Sequence, residues 1–306
     1  MTFPFVIQGK STPHIASIIF EELDIPTLIR CRGVSKKWKT YVDSQTMLWR
    51  HFGLHIKAAC DGRTDIYQII IDNVREINPA SDYGSTPLHK AAENGHLELC
   101  RLIIENVDDK NPANDNGWTP LHEAADAGHL EVCRLIMDHV EEKNPENKFG
   151  ETPLHNAAVW GYLNVCQLII DSVEDKNPAN MYGGTPLHEA ANRGHLEICQ
   201  LILNNVEDRN PGNHFGATPL HAAANKGYYD ICKLLTDDLE ERNPSDDEGE
   251  TPLHRAAHEG HFNICKLLLD LDIGDKNPED SNGVTPLLLA QNRGHTEIAQ
   301  LIEDKM

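Results

Sequence analysis

The chain has little basic charge, few aromatic residues and no long apolar run. Among its 306 residues, 27 Lys and Arg stand against 48 Asp and Glu, for a net charge of −21. Binding phosphate requires clustered Lys and Arg, so nucleic acid is excluded as the main partner. Many carboxylates fall at recurring positions such as Glu105, Asp108, Asp109, Glu141 and Glu142, where they read as a solvated outer face. No apolar stretch approaches the length needed to cross a bilayer. No basic segment precedes an apolar core over Met1 to Lys10, so no secretory leader is expected there. These absences point to a soluble protein of the cytoplasm, with the nucleus also open. There is no phosphate-cradling Gly loop, no nucleophile elbow and no non-periodic cluster of Ser, Cys, His and Asp. We therefore expect no catalytic residue, no cofactor and no metal.

What the chain does have is a recurring tetrapeptide. Thr-Pro-Leu-His begins at Thr86, Thr119, Thr152, Thr185, Thr218 and Thr251, and returns as Thr-Pro-Leu-Leu at Thr285. The first five steps are 33 residues and the last is 34, a period that signals a stacked repeat. Thr86 is placed as an N-cap, its side-chain oxygen accepting from the first turn. Pro87 follows at N1, where its fixed φ suits a helix and its missing N–H costs nothing. Leu88, Ala91 and Ala92 make an apolar stripe, and Gly95 is placed to end the helix. A second helix carries Leu97, Leu99, Cys100, Leu102, Ile103 and Ile104, apolar on enough sides to be largely buried. Asn111-Pro112 and a turn around Gly117 close the unit. This turn and two antiparallel helices closely resemble the ankyrin repeat, which implies an all-α solenoid with β-turn fingers.

The same period disposes of other readings of the Cys and His residues. Cys100, Cys133, Cys166, Cys199, Cys232 and Cys265 occupy one point of successive second helices, with Ala299 in the last. Packed helices lie about 8–10 Å apart, whereas a disulfide needs Cα atoms within roughly 7 Å. Core thiols are expected rather than bridges. Of 17 His, six end the tetrapeptide and five (His96, His129, His195, His261 and His295) follow a Gly. One copy per layer is no converging metal or catalytic set. These His should instead tie one helical hairpin to the next.

Residues 1–10 read as a tail, and residues 11–53 differ in kind from the repeat. Helical spacing there covers Ile15, Ile18, Ile19 and Leu23, then Leu28 and Ile29, then Val34, Trp38 and Val42, then Leu48, Trp49 and Phe52. So short a segment cannot bury all of these alone and needs a partner surface, the solenoid, or both. Thr12-Pro13, Ile19-Phe20, Leu23, Asp24-Ile25-Pro26-Thr27-Leu28, Val34-Ser35-Lys36-Lys37-Trp38 and Leu48-Trp49-Arg50 resemble an F-box. At its start the family usually has Leu-Pro and an acidic residue, where this chain has Thr12, Pro13, His14 and Ile15. The resemblance implies docking on the Skp-type adaptor of a cullin-RING ubiquitin ligase, through Pro13, Ile19, Phe20, Leu23, Leu28, Val34 and Trp38. The alternative is that 11–53 is only a cap for the solenoid, but Phe20, Trp38 and Trp49 exceed what a polar cap carries.

Residues 54–79 read as a decayed repeat. Ala58-Ala59, Gly62, Asp65-Ile66 and Asn78-Pro79 each lie 33 before Ala91-Ala92, Gly95, Glu98-Leu99 and Asn111-Pro112. A degenerate capping helix pair is expected there, joined stiffly to the F-box segment across Trp49 to Ala59. Seven fuller repeats occupy residues 80–306. The extra residue falls within Leu269 to Gly274, and Glu303, Asp304 and Lys305 supply a polar end.

Where packing is required repeats agree, and where function varies they differ. By the ankyrin resemblance, binding residues lie at the hairpin tips and on the exposed face of the first helix, the concave side. Aromatics stand at those positions across the middle repeats, as Trp118, Phe149, Trp160, Tyr182 and Phe215, the residue class enriched at interface hot spots. For the tip rings Tyr83, Phe149, Tyr182 and Phe215, packing between fingers is an equal alternative. Lys148, Arg193 and Lys226 add positive charge. A protein segment with apolar anchors and some acidic residues would fit along Trp118, Phe149, Trp160, Tyr182, Arg193, Phe215 and Lys226. The two resemblances imply a substrate adaptor of an SCF-type ligase, a monomer within its complex, reaching cullin through the Skp-type subunit. The other reading is a protein-binding scaffold or inhibitor that recruits no ligase.

Overall fold

A computed structural model describes residues 54–72, 77–237, 239 and 241–306. The tail (1–10), the F-box segment (11–53) and its candidate contacts Pro13, Ile19, Phe20, Leu23, Leu28, Val34 and Trp38 lie outside the described residues. So does the Trp49 end of the expected stiff junction.

Among the described residues the regular structure is helical throughout. The helices come in pairs: α1 (Leu54–Cys60) with α2 (Thr64–Ile71), α3 (Pro87–Glu93) with α4 (Leu97–Asn106), and α5 (Pro120–Asp126) with α6 (Leu130–Met137). Next are α7 (Pro153–Trp160) with α8 (Leu163–Ile170), α9 (Pro186–Arg193) with α10 (Leu196–Leu203), and α11 (Pro219–Lys226) with α12 (Tyr229–Thr236). The series ends with α13 (Pro252–Glu259) and α14 (Phe262–Asp270), then α15 (Pro286–Arg293) and α16 (Thr296–Lys305). First helices pack on first helices and second on second, from α1 and α2 through to α15 and α16. The result is two parallel rows of short helices.

Each first helix opens on an extended Thr and a Pro at N1, as at Thr86 (φ −105°, ψ 165°). Thr stands at the N-cap of each first helix, as expected, and the first turn has a second acceptor beside it. Asn78, Asn111, Asn144, Asn177, Asn210, Asn243 and Asn277 each accept the N2 amide of the following helix at 2.9–3.2 Å. The Thr hydroxyl turns mainly to the His ring, and reaches the N3 amide at 3.5, 3.4 and 3.2 Å for Thr185, Thr251 and Thr285. The Asn of each Asn-Pro thus starts the helix ten residues ahead.

At the far end of α7, Gly161 takes a left-handed φ of 84°. A Cβ there would stand 2.6 Å from the ring of His195 in the next repeat, so the position needs glycine twice over.

The second helices are amphipathic rather than largely buried. In α4, Leu99, Cys100, Ile103 and Ile104 are buried, while Glu98, Arg101 and Glu105 are exposed. Only one face meets neighbours, and the outer face meets water. The six periodic Cys are free and buried, their thiols pushed up to about 12 by desolvation. They are packing residues. The extra residue before the last repeat lies between Leu269 and Lys276: Lys276 caps Leu269 seven residues back, where Arg209 caps Leu203 six back.

Candidate protein-binding face

Both sets of His bridge repeats, in opposite directions. His89 Nε2–H donates to the Trp118 carbonyl at 3.0 Å, one repeat ahead. Its Nδ1 accepts the Thr86 amide at 3.0 Å and the Thr86 hydroxyl at 2.9 Å. A carbonyl can only accept, so the proton sits on Nε2, and the imidazole must be neutral to receive at Nδ1. His122, His155, His188, His221 and His254 repeat this toward Glu151, Gly184, Ala217, Glu250 and Val284 at 3.0–3.1 Å. Burial pushes His89, His122, His155 and His221 down to about 4, and lowers His188 and His254 as well. The His after Gly reach backward: His96 to the Cys60 carbonyl at 2.8 Å, and His129 to that of Glu93 at 3.0 Å. These residues are frame.

The tips are also tied together by backbone. Asn114 Oδ1 accepts from the Asn116 and Trp118 amides at 2.9 and 3.1 Å, closing the turn. Each tip then donates to the one before it: Lys148 to Asn116 at 3.0 Å, Met181 to Phe149 at 2.8 Å, His214 to Tyr182 at 2.9 Å and Asp247 to Phe215 at 3.0 Å. Phe149, Tyr182 and Phe215 therefore sit at one register in successive repeats. They are 45%, 56% and 63% exposed, standing out from the fingers rather than packing between them.

The candidate residues fall into two rows and an outlier. Trp160, Arg193 and Lys226 end α7, α9 and α11 at one register, all exposed. Phe149, Tyr182 and Phe215 form the tip row. Trp118 stands apart: it is half-buried, with its ring tilted 36° over His122 at 5.7 Å between centroids. The Trp160 indole N–H donates to Asp126 Oδ1 at 2.7 Å, which fixes the ring by its edge.

Between the rows runs a groove of roughly 360 Å³ across the fourth to sixth repeats, lined among others by Tyr182, Glu189, Asn192, Ala222, Asn225 and Arg255. Glu189, Ala222 and Arg255 share the position just after the motif His, with Lys90, Glu123 and Asn156 before them. This position lies outside the tips and helix ends expected from the sequence. Its signal was available, since it varies between repeats as freely as the tips do.

Charge along this inner face is uneven. In the sixth repeat Asp246 keeps the tip turn through Oδ1, and Arg255 pairs with Asp246 at 3.0 Å and Glu250 at 2.6 Å. In the second repeat burial, then Glu93, pushes the Glu123 carboxyl up to about 7. Burial also raises Glu189. Among the described residues no group of His, Cys, Asp and Glu could hold a metal ion. None of their helices is long and apolar enough to cross a membrane.

A stack held by repeated caps and bridging His, with an inner face that changes from layer to layer, defines a protein-binding solenoid. Ankyrin-repeat models match residues 39–113, 106–180, 173–243 and 237–305, and an F-box-like model matches 13–55. The chain belongs to the ankyrin-repeat family and carries an F-box-like domain ahead of its repeats. A comparison with curated proteins gave no match.

Proposed function

We propose that the protein is the substrate-recognition subunit of an SCF-type cullin-RING ubiquitin ligase. Its F-box segment would dock the Skp-type subunit, and through it cullin, by Pro13, Ile19, Phe20, Leu23, Leu28, Val34 and Trp38. Its solenoid would hold a protein substrate along the inner face. The observation that carries this reading is the pairing of an F-box-like match at 13–55 with a solenoid whose inner face does not repeat. Ubiquitin transfer then gains from proximity, two bound parties being kept within reach of one another. On this reading the chain has no catalytic site of its own and acts in the cytoplasm.

Co-expression with a Skp-type adaptor tests it. A stable complex that Phe20→Ala or Trp38→Ala disrupts is expected. No complex at micromolar concentration would overturn it in favour of a protein-binding scaffold, the reading that the departure at Thr12 to Ile15 favours.

A further inference from the structure

The inner face of the second and third repeats holds acceptors without donors. Asp126 Oδ1 already takes the Trp160 indole at 2.7 Å and the Asn156 amide nitrogen at 3.2 Å, leaving its second oxygen. That bond to Asp126 orients the Asn156 amide, and its oxygen, on a residue 9% exposed, has no hydrogen-bond donor among the described residues. A buried acceptor left so is costly, and a ligand donor would recover that cost. Glu123 lies on the same helix as Asp126, and the nearby Lys90 ammonium pairs with Glu93 at 2.7 Å rather than with it. Beside these acceptors stands the Trp160 ring, 55% exposed and bonded through its N–H to Asp126. The sixth repeat supplies the contrast, because Asp246 and Glu250 there are answered internally by Arg255.

We infer that Trp160, Asp126, Asn156 and Glu123 form a receptor for an arginine side chain of the bound protein. A guanidinium is planar, always charged and rich in donors, and it stacks on an indole while its fork serves carboxylate and amide oxygens. The Asn156 oxygen is covered in the unbound chain and takes its bond as the guanidinium displaces neighbouring side chains. Arg193 and Lys226 continue the Trp160 row at one repeat per step. Packed helices lie about 8–10 Å apart, so roughly three extended residues of partner span each step. An arginine on Trp160 is thus followed by acidic residues opposite Arg193 and Lys226. This sets the order of charges along the inner face, and the inference rests on that face being the binding face.

The test uses the full chain, labelled with nitrogen-15, and follows the Trp160 indole N–H signal, assigned by its loss in Trp160→Phe. The probe is the capped tripeptide Gly-Arg-Gly, with the citrulline analogue as its uncharged match. The arginine probe should shift the signal and saturate in the millimolar range, and citrulline should leave it in place. Asp126→Asn, nearly the same shape, should weaken the probe about tenfold or more. Glu123→Gln should weaken it less, and Arg193→Ala should not weaken it. No shift by about 50 mM, a weak limit even for a single contact, would overturn the site. An equal shift with citrulline would overturn it too, as would unchanged affinity in an Asp126→Asn chain that melts normally. The result is independent of the Skp-type adaptor, so failure here and failure of the ligase reading are told apart.

Discussion

The six Thr-Pro-Leu-His motifs and the Thr-Pro-Leu-Leu at Thr285 open their helices alike but have different surroundings. Each motif His lies beneath the tip of a following repeat and donates to its carbonyl. Leu288 takes the His place in α15, where no following tip lies against it among the described residues, and it is 40% exposed. Thr285 then caps more directly, its hydroxyl accepting the Leu288 amide at 3.2 Å. The His therefore serves the junction between repeats. The helix start manages without it.

Acid should break this comparison most strongly. The motif His are held below the ordinary value of 6.5, four of them at about 4, so the unfolded chain takes up protons first as pH falls. Their stabilisation is full above about pH 6.5 and is lost toward pH 4, at up to about 1.4 kcal/mol per pH unit for each His. Urea midpoints should fall steeply from pH 7 to 5. A flat profile would contradict the neutral, doubly bonded imidazoles.

Single substitutions sharpen it. His155→Leu strands the Thr152 amide and the Gly184 carbonyl, and should cost about 2–4 kcal/mol in urea unfolding. Leu288→His should change stability by less than about 0.5 kcal/mol. The tips give a matching pair. Gly117→Ala combines a φ of +81° with a Cβ 2.8 Å from the Lys148 amide, and should cost about 2–3 kcal/mol. Gly283→Ala has φ +73° but meets nothing within 4 Å among the described residues, so only backbone strain, about 1 kcal/mol, should remain. Equal costs at the two tips would mean that the next finger is not the constraint.

The two tryptophans of the inner face should separate last and least. Trp118→Ala loses its packing on His122 and should cost about 1–2 kcal/mol, whereas Trp160→Ala should stay within about 0.5 kcal/mol. Thermal melting distinguishes them.

Much of the frame was legible because it repeats. Thr, Pro, Leu, Ala, Gly and Cys do the same work in each layer, so a period of 33 exposes them. The cap by Asn111 and its equivalents was not legible, because that Asn looks like ordinary loop punctuation until the chain folds it back onto the next helix. The two-sided nature of the second helices was misjudged from their apolar content, since Glu98 and Arg101 carry the outer face. In the candidate site, the exposed rings could be read from their departure from the repeat. Asn156 and Glu123 share a position whose variation between repeats is visible in the sequence, but what leaves them unpaired across a repeat boundary shows only in the fold.

The most direct test of a two-ended adaptor is quantitative mass spectrometry of proteins co-purifying with the intact chain, with Phe20→Ala and with Trp160→Ala. The account predicts a double dissociation. Phe20→Ala should lose the Skp-type subunit and cullin while keeping substrates, and Trp160→Ala should lose substrates while keeping the ligase subunits. Loss of both sets in either variant, or of neither set in both, would contradict it.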